Sequence, residues 1–140
     1  MKFCPNCGAP QPAIKGWPHK CNACGTTHFC SPKPVVALIL PADADGRPGI
    51  IAIQRGIQPH KGTWAFPGGY IDHAEDWRRA AQREAQEELG VQLDYDHIHL
   101  RKVVVTPTNY LVLFVHYESG LRFLPADLHQ NPISDTRGEV

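Results

Sequence analysis

Apolar and polar positions along the chain predict strands on both sides of a single helix. The continuous apolar run at residues 35–40 is typical of a buried strand. Residues 41–48 are rich in Pro, Asp and Gly and predict a turn, and residues 50–54 predict a second strand that forms a hairpin with the first. Shorter apolar runs predict later strands at residues 103–105, 111–115 and 121–124. This order predicts a mixed α+β domain.

A helical period covers about residues 76–89. One apolar residue recurs every fourth position and predicts a stripe that faces a core, formed by Trp77, Ala81, Ala85 and Leu89. Asp76 is the predicted N-cap, with Asp72 and Glu75 as a competing capping pair. Gly90 is the predicted C-terminal stop because glycine adopts the left-handed conformation at little cost.

Three glutamates form a second stripe on the same helix. Glu84, Glu87 and Glu88 are spaced i, i+3 and i+4, with Arg83 beside them, so their carboxylates share one face. Without a compensating charge they would repel one another. A hard divalent cation such as Mg²⁺ or Mn²⁺ explains the cluster, and such a cation also binds phosphate oxygens. The alternative interpretation is an acidic, solvated helix face with arginines nearby.

Cysteine spacing predicts a separate N-terminal module. Two Cys-x-x-Cys pairs, each followed by glycine, are formed by Cys4, Cys7, Cys21 and Cys24. The first residues contain no apolar signal segment, so these cysteines are interpreted as metal ligands rather than disulfides. The spacing resembles a zinc ribbon with a tetrahedral site of four cysteines, and four free thiols are the alternative.

The module and its linker are predicted to span residues 1–33, ahead of a second domain at residues 34–140. So short a segment buries little core, so zinc would supply much of its folding energy as a closed structural site. His19 and His28 are considered as substitute ligands. Cys30 is expected to pack as a small apolar residue.

Composition excludes some classes of protein. The formal net charge is zero and the pI is about 7.1, so no global basic field indicates a nucleic-acid or membrane partner. No apolar run approaches the length of a membrane span. We therefore expect a soluble, cytoplasmic protein that acts on a small molecule, with nucleic acid an unlikely partner.

Residues 69–91 match the Nudix box position by position. The matching residues are Gly69, Glu75, Arg83, Glu84, Ala85, Glu87, Glu88, Gly90 and Val91. Ala85 departs from the pattern because a larger aliphatic residue is usual there. The chain therefore resembles the Nudix hydrolases over about residues 34–140, and the resemblance implies a mixed sheet sandwiched between helices. The family usually extends further, so either a short or a truncated form is expected.

The resemblance implies a role for each matching residue. Glu84, Glu87 and Glu88 would bind catalytic Mg²⁺ or Mn²⁺, together with the Gly68 carbonyl. Arg83 would orient a carboxylate, and Glu75 would pair with an arginine as a scaffold, beside Gly69. No single general base is assigned; the later acidic candidates are Glu118, Asp127, Asp135 and Glu139. Family members are often dimers, which leaves a homodimer open.

Positions outside the box bear on the substrate. The chain resembles ribbon-bearing Nudix proteins that act on ADP-ribose, FAD or NADH, but it lacks the SQPWPFP-type motif of the NADH enzymes. Pro107 lies 16 residues after Val91 and resembles a marker of ADP-ribose pyrophosphatases, although a simple turn explains it equally well. We expect hydrolysis of ADP-ribose or a related dinucleotide to AMP and a phosphorylated product. NADH or FAD hydrolysis is one alternative, and a non-catalytic nucleotide-binding regulator is another.

Tyr70 and Phe66 are interpreted as packing residues, with stacking on a base as the alternative.

Overall fold

The computed structural model describes residues 1–44, 46–58 and 60–123. The expectations for Asp127, Asp135, Glu139 and residues 132–140 lie outside this part of the chain. Contacts divide the chain into two compact units, one of residues Met1–Pro32 and one that begins at Lys33. In the described part of the chain, no helix is both long enough and apolar enough to cross a membrane.

The N-terminal unit is built around two tight turns. Strands β1 (His19–Lys20) and β2 (Thr27–His28) pair antiparallel, and Phe3 forms an isolated bridge with Pro10. Gly8 and Gly25 have φ of 70° and 76°. Each donates its backbone N–H to the backbone carbonyl of the first cysteine in its own Cys-x-x-Cys pair. A positive φ at these positions favours glycine, which explains why glycine follows each pair.

The second unit contains eight strands, one α-helix and one 3₁₀ turn among its described residues. In chain order these are β3 (Lys33–Ile39), β4 (Pro41–Ala44), β5 (Arg47–Ile50), β6 (Ile53–Gln54), β7 (Trp64–Ala65), α1 (Trp77–Leu89), the 3₁₀ turn (Tyr95–His97), β8 (Ile98–Val105), β9 (Tyr110–Tyr117) and β10 (Leu121–Phe123).

These strands pair in a mixed pattern. The main sheet has the order β3-β9-β8, in which β3 runs parallel to β9 and β8 runs antiparallel to it. A second sheet has the order β10-β4-β5, with β10 parallel to β4, and β6 pairs with β7. The combination of parallel and antiparallel pairs with one central helix confirms the predicted α+β class.

Helix α1 begins and ends at its predicted caps. The Asp76 side chain accepts a hydrogen bond from the backbone N–H of Arg78, and Gly90 adopts φ 68° while its N–H bonds the last turn. The helix packs on β3, and Ala81 and Ala85 are fully buried in the core with Leu38. Trp77 and Leu89 pack at the margin of this core, so the predicted apolar stripe is confirmed.

The predicted hairpin between residues 35–40 and 50–54 is wrong apart from one contact, in which the Ile51 N–H donates to the Leu40 carbonyl at 3.0 Å. β3 instead pairs with β9, and the hairpin lies within the segment interpreted as a turn, where β4 pairs with β5. Ala44 is opposite Arg47, so only two residues, Asp-Gly in the sequence, connect the strands. The Asp43 side chain accepts a hydrogen bond of 2.7 Å from the Gly46 N–H, and Gly46 has φ 76°. The two strands are therefore longer, and their connection shorter, than the sequence predicted.

Candidate functional site

A backbone segment at residues 67–71 lies along the edge of β3 that does not pair with β9, and this segment positions the candidate site. The Leu38 N–H donates to the Pro67 carbonyl at 2.8 Å, and the Val36 N–H donates to the Gly69 carbonyl at 2.9 Å. Gly68 between them has φ 142°, and a Cβ there would lie 2.1 Å from the Val36 carbonyl oxygen. Only glycine fits this position, because the clash is with backbone and not with a side chain that could move.

Position 69 requires glycine for a different reason. A Cβ at this position would lie 2.6 Å from Oε1 of Glu84. The loop therefore passes directly over this carboxylate, which belongs to a residue only 8% exposed. The two successive glycines let the loop approach β3 at one residue and α1 at the next.

Arg83 is the centre of the carboxylate network. Its Nε and Nη2 donate to the two carboxylate oxygens of Glu75, each at 2.9 Å, and Nη1 contacts Glu84 at 2.5 Å and Glu87 at 3.3 Å. Nη2 also donates to the Tyr70 carbonyl at 2.7 Å. The hydrogen bonds to Glu75, followed by those to Glu84, raise the pKa of Arg83 above its ordinary value. The guanidinium thus ties the loop to the helix.

Two further contacts fix the loop and the remaining glutamate. The Asp72 N–H donates to Oε2 of Glu75 at 2.9 Å, so Glu75 stabilises the turn that precedes the helix. The Gly68 N–H donates to Oε2 of Glu88 at 2.7 Å. Glu88 is therefore held against the loop, while Glu87 is the more exposed carboxylate, with 41% of its side chain accessible.

The structure brings the predicted residues of the helix and loop together, but it does not place the three carboxylates in one tight cage. Among the described residues, only the four N-terminal cysteines form a group of three or more metal-type side chains whose ligand atoms all lie within 4.8 Å of one another. Glu84, Glu87 and Glu88 are spread around Arg83 and the Gly68 amide. Their roles as ligands and the catalytic role of the site stay predictions.

The cysteine cluster has the dimensions of a metal site. The Sγ atoms of Cys4 and Cys24 are 3.8 Å apart, and those of Cys7 and Cys21 are 3.9 Å apart. Four sulfurs at about 2.3 Å from a tetrahedrally coordinated zinc ion would be separated by about 3.8 Å. The cluster therefore fits a zinc ribbon. Cys30 is exposed, so its predicted packing as a small apolar residue is wrong.

Polar neighbours surround the thiols. The Gln11 amide donates to the Cys21 sulfur at 3.3 Å, and the Asn6 amide donates to the Cys24 sulfur at 3.6 Å. Hydrogen bonding with the side chain and then the backbone of Thr26, followed by Asn6, lowers the pKa of Cys24 to about 5. At Cys24 these contacts favour the thiolate, which is the form that binds metal. At Cys7 a backbone contact with Ala9 lowers the pKa, but hydrogen bonding with the other cysteines outweighs it and raises the pKa to about 12 instead. His28 lies 3.3 Å from the Cys4 sulfur and is a neighbour of the quartet.

Sequence reasoning named the Gly68 carbonyl but missed two other backbone groups, the Gly68 N–H and the Tyr70 carbonyl, and it did not settle Pro107. The Tyr70 carbonyl accepts a hydrogen bond from Arg83, and the Gly68 N–H donates one to Glu88. Both are backbone groups, so the identity of the side chain at these positions does not predict the contacts. Pro107 lies in the turn that joins β8 to β9, where the Asn109 N–H donates to the Thr106 carbonyl at 3.0 Å. Among the proposed bases, Glu118 contacts His99 at 3.1 Å.

Comparison with known proteins gives a consistent family. A family model described as the NUDIX domain matches residues 32–139. The chain is 35% identical over 85 residues to Nudix hydrolase 3 of Caenorhabditis elegans, a match that covers 57% of this chain and 35% of the relative. It is 28% identical over 94 residues to the NAD-capped RNA hydrolase NudC of Stutzerimonas stutzeri, covering 66% of this chain and 32% of that protein. The chain thus spans about a third of the length of these curated relatives.

A solved structure shows the same fold. The crystal structure of a NUDIX hydrolase from Nitrosomonas europaea superposes with a TM-score of 0.56 at 24% sequence identity, covering 83% of this chain and 67% of the other. With the NUDIX match extending over most of the chain, the protein belongs to the Nudix family.

Proposed function

We propose that the protein hydrolyses a diphosphate that joins a nucleoside to another group, with ADP-ribose or a related dinucleotide as the favoured substrate. The products would be AMP and a phosphorylated compound. The observation that carries this proposal is the charge around Arg83. One guanidinium contacts four carboxylates, those of Asp72, Glu75, Glu84 and Glu87, which is more negative charge than it can neutralise.

The donor set fits a hard divalent cation. Glu84, Glu87 and Glu88 offer carboxylate oxygens from one helix, and the Gly68–Gly69 backbone lies beside two of them. Mg²⁺ and Mn²⁺ prefer such oxygen ligands. When bound, the cation would neutralise the phosphates and activate water. Glu84, Glu87 and Glu88 are the proposed ligands, with the Gly68 carbonyl as a further oxygen.

The chain's own residues would position this chemistry. Arg83 and Glu75 form a bidentate pair that fixes the loop against α1, so the carboxylates have defined directions. Gly68 and Gly69 let the backbone approach both the ligands and the substrate phosphates without a side chain in between. Among the four carboxylates in contact with Arg83, Glu87 is second only to Asp72 in exposure. Glu87 is therefore accessible to solvent and to a substrate.

Zinc has a separate proposed role. Cys4, Cys7, Cys21 and Cys24 would hold a structural Zn²⁺, because all four positions of the tetrahedron are filled by the chain and none is open to a substrate. The ion would stabilise the N-terminal unit and take no part in the hydrolysis.

Two other functions are weighed against this proposal. An NADH-type or FAD substrate is supported by the similarity to a protein named an NAD-capped RNA hydrolase. A regulator that binds a nucleotide without hydrolysing it would have the same fold, but the three carboxylates of Glu84, Glu87 and Glu88 on one helix favour hydrolysis.

The test is a hydrolysis assay with Mg²⁺ on ADP-ribose, NADH, FAD, diadenosine polyphosphates and nucleoside triphosphates. Glu87→Gln removes one proposed ligand and is compared with Asp96→Asn, which neutralises an exposed carboxylate in the 3₁₀ turn. We expect AMP release from one compound, lost without Mg²⁺ and in Glu87→Gln, and retained in Asp96→Asn.

Other results would separate the alternatives. AMP release from NADH or FAD alone would move the proposal to that substrate. Binding of ADP-ribose without turnover, by folded protein and without dependence on Glu87, would establish the regulator instead and contradict hydrolysis.

A further inference from the structure

The four sulfurs of the cysteine quartet form two pairs that are closely alike. The Sγ atoms of Cys7 and Cys21 are 3.9 Å apart, and those of Cys4 and Cys24 are 3.8 Å apart. Each pair combines one exposed cysteine, Cys7 or Cys24, with one buried cysteine. An oxidant that arrives from solvent therefore meets one sulfur of each pair, and a second sulfur lies beside it.

The two pairs differ in the side chains that contact the exposed sulfur. The Thr26 hydroxyl lies 3.2 Å from Sγ of Cys24, and the Asn6 amide donates to the same sulfur at 3.6 Å. The Asn6 amide also donates to the Thr26 hydroxyl at 3.1 Å, which holds both side chains beside Cys24. Among the residues that the structure describes, Cys7 is contacted by the other cysteines and by the Ala9 backbone, and no further side chain hydrogen-bonds its sulfur.

Exposure and hydrogen bonding decide which sulfur reacts first once zinc is bound. Every sulfur in a zinc site of four cysteines is a thiolate, so the four do not differ in protonation. A hydrogen bond withdraws electron density from a thiolate, and a thiolate that is about tenfold less basic is about threefold less nucleophilic. Cys24 is therefore the protected exposed sulfur, and Cys7 is the reactive one. The two buried sulfurs are shielded by their position and by contacts with His28 and Gln11.

We propose that Cys7 is an oxidation site through which peroxides release zinc from the N-terminal unit. This inference rests on the proposed structural zinc, but not on the proposed hydrolysis. The Cys7 thiolate attacks one oxygen of hydrogen peroxide, so an S–O bond forms, the O–O bond breaks and hydroxide leaves. The Cys21 thiolate then attacks the Cys7 sulfur, so an S–S bond forms and the S–O bond breaks with loss of a second hydroxide. The two thiolates together lose the two electrons that the peroxide gains.

This disulfide removes two of the four zinc ligands. The two cysteines that remain do not complete the tetrahedral shell of a structural zinc ion, so the ion leaves. Because so short a unit depends on its metal for folding energy, the N-terminal unit loses its fold at the same step. Reduction of the disulfide restores both thiolates, so the change is reversible and makes the unit responsive to peroxide.

The experiment treats the zinc-loaded full chain with limiting hydrogen peroxide. A Cys30→Ser background removes the exposed cysteine outside the quartet. A colorimetric chelator follows the release of zinc, and tandem mass spectrometry identifies the disulfide after the remaining thiols have been alkylated. We expect zinc release in step with disulfide formation, and a Cys7–Cys21 bond about threefold or more as abundant as a Cys4–Cys24 bond.

Thr26→Val tests the reason for this order. The substitution removes the hydroxyl beside Cys24 and should lower the ratio of Cys7–Cys21 to Cys4–Cys24 disulfide about threefold. Thr27→Val is the matched control, because this threonine is opposite Lys20 in the β1–β2 register and none of the hydrogen bonds described for the quartet involves it. The control should keep the ratio of the parent protein.

The outcomes separate the oxidation site from the zinc site. If the parent protein holds no zinc before treatment, both proposals are overturned. If zinc is present but the Cys4–Cys24 bond forms first, if Cys7 is oxidised without release of zinc, or if Thr26→Val leaves the ratio unchanged, only the oxidation site is overturned. If Thr26→Val does not retain zinc, Asn6→Ala removes the other contact with Cys24 and is measured against the same expectation.

Discussion

The four cysteine sulfurs of the N-terminal unit and the three glutamates of α1 are both candidate metal ligands, but they are arranged differently. The two tight turns meet so that the Sγ atoms of Cys4 and Cys24 are 3.8 Å apart and those of Cys7 and Cys21 are 3.9 Å apart. These distances are close to the sulfur separations that zinc requires. The glutamates are instead held by Arg83 and by the Gly68 amide, and their oxygens are not gathered within one small sphere.

This difference follows from what each site has to do. A structural ion needs a closed shell that only the chain provides, so a preformed cluster is suitable. A catalytic ion has to share its coordination with water and substrate, so carboxylates that are oriented but incompletely gathered leave room for both. We therefore expect the two sites to respond differently when a ligand or a supporting residue is changed.

The largest effect is expected at the cysteine cluster. Cys21→Ser removes a buried sulfur from the quartet and should abolish zinc retention, because structural zinc contributes about 10–16 kcal/mol of apparent binding free energy. The N-terminal unit should then lose its fold, as measured by zinc content after gel filtration and by protease sensitivity of residues 1–32.

Cys30→Ser provides the control, because Cys30 is exposed and outside the quartet. This variant should keep its zinc and its resistance to protease. If Cys21→Ser kept a full complement of zinc, or if Cys30→Ser lost it, the assignment of the quartet would be wrong.

A smaller effect is expected at Arg83, which supports the carboxylates without being a ligand. Arg83→Lys keeps a positive charge but cannot form the bidentate pair with Glu75 and at the same time contact Glu84. Loss of a supporting contact of this kind typically costs about 10–100-fold in metal affinity or activity. The measurement is the Mn²⁺ dissociation constant, determined by electron paramagnetic resonance, together with the Mg²⁺ dependence of hydrolysis.

Arg79→Lys is the matched control for this substitution. Arg79 lies on the same helix and hydrogen-bonds Gln82, and none of the hydrogen bonds or salt bridges described for the carboxylate network involves it. Equal loss of Mn²⁺ affinity in both variants would show that the effect is a general one of helix charge and would remove the positioning role from Arg83.

The sequence predicted the features that depend on neighbours along the chain. The caps at Asp76 and Gly90, the apolar stripe of α1 and the glycines after the cysteine pairs all act within a few residues. Local propensity is sufficient for such features because each partner lies within one or two turns of the chain. The same reasoning brought the box glutamates onto one helical face.

Features that depend on distant partners were not predictable in this way. β3 pairs with β9, more than 70 residues later in the chain, so its apolar run gave no indication of the partner strand. The contact between the Gly68 N–H and Glu88 arises because residues 67–71 lie along the edge of β3 while α1 packs on the same strand. Only the assembled sheet places these backbone groups at the site.

The smallest effect is expected at His116, which lies on β9 of the main sheet. Burial, followed by the charges of Arg101 and His99, lowers the pKa of His116, while the nearby Glu118 opposes the shift. The folded protein therefore binds this proton less readily than the unfolded chain, so the associated stability is present above about pH 6.5 and declines as the pH falls below it.

His116→Gln should reduce the loss of unfolding free energy between about pH 7.5 and about pH 5.5 by about 0.5 kcal/mol or less. Parallel urea titrations at the two pH values test this expectation, and a steeper acid loss in His116→Gln than in the parent protein would contradict it. If the two chains instead differ in zinc content at the lower pH, the comparison has to be repeated with the cysteine site held saturated, because the histidine effect is small enough to be hidden by a change at the larger site.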